Sequence, residues 1–124
     1  MKAQIRRILL VLAALLALFA AYTMLVYTVP HIQEDLVEIG VRPSLLAAVA
    51  RTMSFAAWSM AGFSAIIVAA AVSDILGRSI SRPSLIISGL LFLAFGVVAV
   101  YHHGNVHMYG YVAIGLFSAV AGLL

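Results

Sequence analysis

The sequence predicts an all-α integral membrane protein, and two observations carry that prediction. Hydrophobic residues make up 65% of the chain and charged residues only 9%, proportions far from those of a soluble domain. The apolar residues also fall into long runs without the alternation of barrel strands, and a bilayer accepts only helices or closed barrels. With 124 residues, the chain has room for four helices of about twenty residues and short connections. The expected architecture is a single transmembrane domain over residues 1–124, folded as an up-and-down four-helix bundle with both termini cytoplasmic.

Lys2, Arg6 and Arg7 precede the run ILLVLAALLALFAAYTMLVYTV, which sets a first span at residues 8–29. This run is longer than a signal-peptide core and has no A-x-A-like cleavage site near Ala20 or Ala21, so it reads as a retained span. The markedly polar stretch PHIQEDLVEIGVRP follows. In it Ile32, Leu36 and Ile39 share one side at helical spacing while Glu34, Asp35 and Glu38 occupy another, the pattern of a short interfacial amphipathic helix ended by Gly40. Pro43 suits the first turn of the next helix.

The second span is expected over residues 44–73. Its row of Ala57, Ala61, Ala65 and Ala69 has the small-xxx-small spacing through which another helix backbone approaches closely. Arg51 reads as a boundary residue whose stem lies in apolar surroundings while its guanidinium reaches headgroups or the acidic loop, and Trp58 as a packing or interface residue. Asp74 and Arg78, four residues apart, read as a surface pair that helps to end the span. The basic loop DILGRSISR turns the chain into a third span at residues 85–101, where Ser88, Gly89, Gly96 and Ala99 are small contact positions. After HHGNVHMYG comes a short fourth span, residues 106–124, with Gly115, Ser118, Ala119 and Gly122 as its small side.

Topology follows from the positive-inside rule: Lys2, Arg6, Arg7, Arg78 and Arg82 share the cytoplasmic side, with Arg42 and Arg51 toward the other. All five tyrosines, Tyr22, Tyr27, Tyr101, Tyr109 and Tyr111, fall toward the opposite ends of their spans, as half of an aromatic belt does. The setting this suggests is a bacterial inner membrane.

No residue set identifies a reaction. Phosphate-binding loops, H-E-x-x-H, G-x-S-x-G and paired intramembrane carboxylates are all missing, so no enzyme is expected. The basic residues follow a membrane boundary rather than clustering with stacking aromatics, which speaks against nucleic acid. Zero cysteines exclude a disulfide framework and a thiolate metal site. The sharpest chemical feature is the set His31, His102, His103 and His107 on one face, since imidazole ligates zinc, copper or haem iron. That makes a metal- or haem-binding membrane protein one alternative. A small oligomeric transporter or channel lined by Ser54, Ser59 and Ser64 is another. The leading expectation is a non-catalytic accessory or scaffolding subunit, because small-residue positions recur on several helices, chiefly Ala57, Ala61, Ala65, Ala69, Gly96, Gly115 and Gly122. The partners it implies are the lipid bilayer together with other membrane subunits or a second copy.

Two resemblances accompany this reading. Val29-Pro30-His31-Ile32 with Glu34-Asp35-Leu36, and Asp74-x-x-Gly77-Arg78 followed by Arg82-Pro83, resemble the first interhelical segment and the loop between helices two and three of major facilitator transporters. The polar first loop, Trp58 in span two and the Gly104-Asn105-Val106-His107 turn are similar to those of small uncharacterised bacterial four-helix membrane proteins. This second resemblance implies an architecture and no activity.

Overall fold

The computed structural model describes residues 1–103 and 108–124. Its helices are α1 (Lys2–Thr23), α2 (Val29–Glu38), α3 (Pro43–Ile75), α4 (Arg82–His103) and α5 (Met108–Leu123), with a π-helical turn at Met24–Thr28 joining α1 to α2. The four-helix bundle expected from the sequence is therefore corrected to five α-helices among the described residues. Three of them are long and apolar enough to cross a membrane, over Lys2–Tyr27, Pro43–Ile75 and Arg82–Tyr101. The protein is an integral membrane protein held by these apolar helices. Helix α5 is shorter, at 16 residues about 24 Å, against a hydrocarbon core of roughly 30 Å.

The fifth helix, α2, is the amphipathic segment expected after the first span, and it runs on from α1 because Pro30 does not end that helix. A proline inside a helix lacks an N–H and crowds the carbonyl four residues before it, here that of Val26. That carbonyl belongs to the widened π turn, in which the Val29 N–H donates to the Met24 carbonyl five residues back, and such turns take up the misfit within a continuous helix. Helix α2 then buries Ile32 and Leu36 against α3, with Ala50 completing the small cluster, while Ile39 stays exposed.

Both well-defined stops use a glycine in the left-handed region. Gly40 has φ +88° and Gly77 φ +73°. After α2 the Val41 N–H donates to the Leu36 carbonyl at 3.0 Å and Gly40 to Val37 at 3.1 Å; after α3, Arg78 donates to Ser73 at 2.8 Å and Gly77 to Asp74 at 3.1 Å. These paired bonds are Schellman closures, which satisfy the terminal carbonyls of each helix.

Helix α1 packs against both α3 and α5, and the largest interface joins α4 to α5, whereas consecutive α3 and α4 share little. The apolar helices thus follow the order α3, α1, α5, α4 by the extent of their contacts, with α2 and, to a small extent, α4 also touching α3. On α1 and into the π turn the buried positions recur at Leu10, Ala13, Ala17, Ala20 and Met24; on α3 they recur at Ala57, Met60, Ser64, Ile67, Ala71 and Asp74. Both sets alternate steps of three and four, a heptad seam. An Arg6–Asp74 ion pair fixes the two helices antiparallel and sets their register. Leu10 then lies level with Ala71, Ala13 with Ile67, Ala17 with Ser64, Ala20 with Met60, and Met24 with Ala57. Each of these layers sets an alanine against a larger side chain, an arrangement that lets two helix backbones draw close.

Small residues bring α4 and α5 closer still. A Cβ built on Gly89 would lie 2.7 Å from the Ala119 nitrogen, and one on Gly96 2.7 Å from the Val112 nitrogen. One on Gly115 would strike the Leu93 nitrogen, and one on Gly122 would fall 2.6 Å from Ile86 Cγ1. Tyr111 sits at 5.2 Å from Phe95, edge to face, and 6.5 Å from Phe92 between ring centroids. Large apolar side chains such as Leu15, Phe19, Phe55, Trp58, Val97 and Val98 are exposed; in a bilayer these are the lipid-facing surface.

Candidate functional site

Three places bring polar or unusually small side chains together, beginning with the end of the molecule that carries the start of α1. Asp74, on the last turn of α3, is 4% exposed and receives two arginines. Arg6 donates from Nε and Nη2 to Asp74 Oδ1 at 3.2 and 3.0 Å, and Arg7 donates from Nε to Oδ2 at 3.2 Å and from Nη2 to the Asp74 carbonyl at 3.1 Å. The surface pairing of Asp74 with Arg78 is thereby corrected. Helix α1 begins at Lys2, which carries both arginines onto the helix one layer beyond Leu10, opposite Asp74. The cluster locks α1 to α3, and its carboxylate has both oxygens occupied. Its sequence signal was the phase of Arg6 and Asp74 with the two seams.

The second place is the row of alanines on α3. Ala57 is buried, Ala61 is half-buried, and Ala65 and Ala69 are exposed. The row divides because residues four apart advance about 40° around a helix at each step, so a strict four-residue period spirals out of a seam of mean period 3.5. Its outer part joins Gly62, which is exposed and has no atom within 4 Å of where a Cβ would lie, and Trp58, 61% exposed. By contrast Gly96, Gly115 and Gly122 lie in the α4–α5 interface.

The third is a groove of about 330 Å³ between α2 and α3 whose lining includes Val29, Ile32, Gln33, Ala50, Arg51 and Ser54. Of the serines expected to line a path, Ser59 donates to the Phe55 carbonyl at 2.8 Å and Ser64 to the Met60 carbonyl at 2.9 Å. Both hydroxyls are spent on their own helix. Two further hydroxyls, Ser88 Oγ on α4 and Ser118 Oγ on α5, are buried without a hydrogen-bond partner among the described residues.

Of the histidine set the structure describes the side chain of His31 alone. His31 Nδ1 lies 2.8 Å from the Tyr27 carbonyl, bonded along its own helix. His107 falls outside the described residues, as do the side chains of His102 and His103. Among the described residues no group of three or more His, Asp or Glu side chains gathers as metal ligands do.

No protein-family model, curated protein or solved structure matches the chain. Together with five helices in place of four, this overturns the resemblance to small four-helix membrane proteins, and the likeness to major facilitator transporters with it.

Proposed function

We propose that the protein is a non-catalytic accessory or scaffolding subunit of a larger membrane complex, lending the outer face of α3 to a helix of another subunit or of a second copy. One observation carries the reading. Gly89 and Gly96 on α4 are covered by α5, whereas Gly62 in the middle of α3 has nothing against it. A glycine there costs about 1 kcal/mol of helix stability relative to alanine, and no described residue packs against it to offset that cost. Flanked by half-buried Ala61 and exposed Ala65 and Ala69, it offers the kind of approach surface that α4 and α5 give each other. The setting we propose is a bacterial cytoplasmic membrane; in support, Lys2, Arg6, Arg7, Arg78 and Arg82 gather at one end of the helices, the asymmetry that orients inner-membrane proteins.

The chain has no cysteine, so Ala65→Cys introduces a single thiol. Oxidation in native membranes is expected to yield a covalent adduct with a second copy, and a thiol-directed crosslinker an adduct with another subunit. Gly62→Leu should abolish either adduct while leaving the helical content unchanged. A monodisperse monomer with no adduct in either experiment overturns the reading.

A further inference from the structure

We propose that the groove between α2 and α3 is a binding site for the phosphate headgroup of an anionic phospholipid, with Arg51 as its charged anchor and Gln33 and Ser54 as its hydrogen-bonding walls. Arg51 is exposed and makes no ion pair with any described residue. In the same region of the chain Glu34, Asp35 and Glu38 stand exposed on α2, and none of them takes it. Helix geometry accounts for that. Ile32 faces α3, and at 100° per residue Val29 and Gln33 turn to one flank by about 60° and 100°, while Asp35, Glu38 and Glu34 turn to the other by about 60°, 120° and 160°. The groove lies on the Gln33 flank, so among the described residues that line it Arg51 is the one charged side chain.

Depth in the membrane agrees with the chemistry. Arg51 lies twenty-three residues before Asp74 on one helix, about 35 Å at 1.5 Å per residue, which exceeds a hydrocarbon core of roughly 30 Å. With the Arg6–Arg7–Asp74 cluster at one boundary, Arg51 stands at headgroup level at the other. Ser54, one turn deeper on the same face of α3, is half-buried, and its hydroxyl carries no bond to a described side chain or carbonyl. Below the polar rim, Val29, Ile32 and Ala50 offer apolar wall to the start of an acyl chain. A guanidinium with free donors matches phosphate oxygens, and among the described residues no carboxylate lines the groove to receive the ammonium of a zwitterionic lipid.

The test uses the full chain in nanodiscs of phosphatidylcholine containing a tenth phosphatidylglycerol, released into the gas phase for native mass spectrometry. One phosphatidylglycerol is expected to remain bound per chain, enriched over its share of the bilayer. Arg51→Gln should lower that retention at least tenfold and Ser54→Ala severalfold, whereas Arg42→Gln, which removes a charge at the same end but outside the groove, should leave it unchanged. Arg51 and Ser54 are not core residues, so both variants are expected to keep the wild-type circular dichroism. Equal losses in Arg42→Gln and Arg51→Gln would reduce the effect to general attraction and overturn the site. Unchanged retention in Arg51→Gln overturns it outright, as does displacement of the lipid by millimolar inorganic phosphate, which would make the groove a site for the free anion.

Discussion

Alanine in place of glycine should have opposite effects at two positions of this protein. At Gly115 the added Cβ would stand 2.7 Å from the Gly89 carbonyl oxygen and 2.7 Å from the Leu93 Cα, and closer still to the Leu93 nitrogen. All three are backbone atoms of α4, which no rotamer change can move aside. Restoring an ordinary separation of about 3.5–4.0 Å drives α4 and α5 roughly 1 Å apart, and a gap of that size forfeits about a quarter to a half of the dispersion energy at each contact it opens. Overpacking of this kind costs about 1–3 kcal/mol, an order of magnitude we adopt as the net loss for Gly115→Ala. At Gly62, where nothing lies within 4 Å, the same substitution should change only helix propensity, a gain of up to about 1 kcal/mol. The two variants should therefore differ by about 1–4 kcal/mol on these magnitudes. Equilibrium unfolding in mixed micelles of rising sodium dodecyl sulfate fraction, followed by far-ultraviolet circular dichroism under conditions that keep the protein monomeric, measures the difference. If Gly115→Ala unfolds at the wild-type midpoint or later, α4 and α5 do not meet through Gly115 and the packing argument fails.

In the ion cluster the order of effects is the informative quantity. Removing both Arg6 and Arg7 strands a carboxylate that is 4% exposed and should approach the roughly 3–5 kcal/mol typical of broken buried pairs. Asp74→Ala leaves guanidinia at 24% and 53% exposure that can reach headgroups, a cost on the order of 1 kcal/mol; unfolding midpoints in the reverse order would refute the burial argument. The paired change Ser88→Ala and Ser118→Ala removes two hydroxyls with no described partner, each of which costs about 1–3 kcal/mol when left unbonded. Stability in the same micelle titration should be unchanged or raised, and a clear loss would reveal bonds made by those hydroxyls.

Much of this fold is written openly in the sequence. The apolar runs mark the long helices, and Pro43, Gly40 and Gly77 mark boundaries, because a missing N–H or a positive φ is a local property of one residue. What stays hidden depends on phase. Pro30 looks like a terminus, and only the π turn that accommodates it lets the helix run on to Glu38. The alanine row at four-residue spacing is conspicuous, but the seam that α3 uses runs through Ala57, Met60, Ser64, Ile67, Ala71 and Asp74, a mixture of sizes that composition does not flag. Asp74 resembles a surface residue until Arg6 and Arg7 are placed on α1 at the matching level. The groove at Arg51 is less legible still, since it needs α2 folded onto α3 before Gln33 and Ser54 share a space.

The π turn at Met24–Thr28 also decides which sequence the rest of the chain presents inward. Carried on in steps of three and four, the α1 seam that passes through Ala17, Ala20 and Met24 would reach Tyr27, His31 and Glu34, and a polar strip with a carboxylate would press against α3. One extra residue in the turn rotates everything beyond it by about 100°, so Ile32 and Leu36, each 3% exposed, take the inward positions and the carboxylates swing clear. The turn is a rotary offset, a single-residue slip by which a membrane-crossing screw and a water-facing one, cut in different frames, share one continuous shaft.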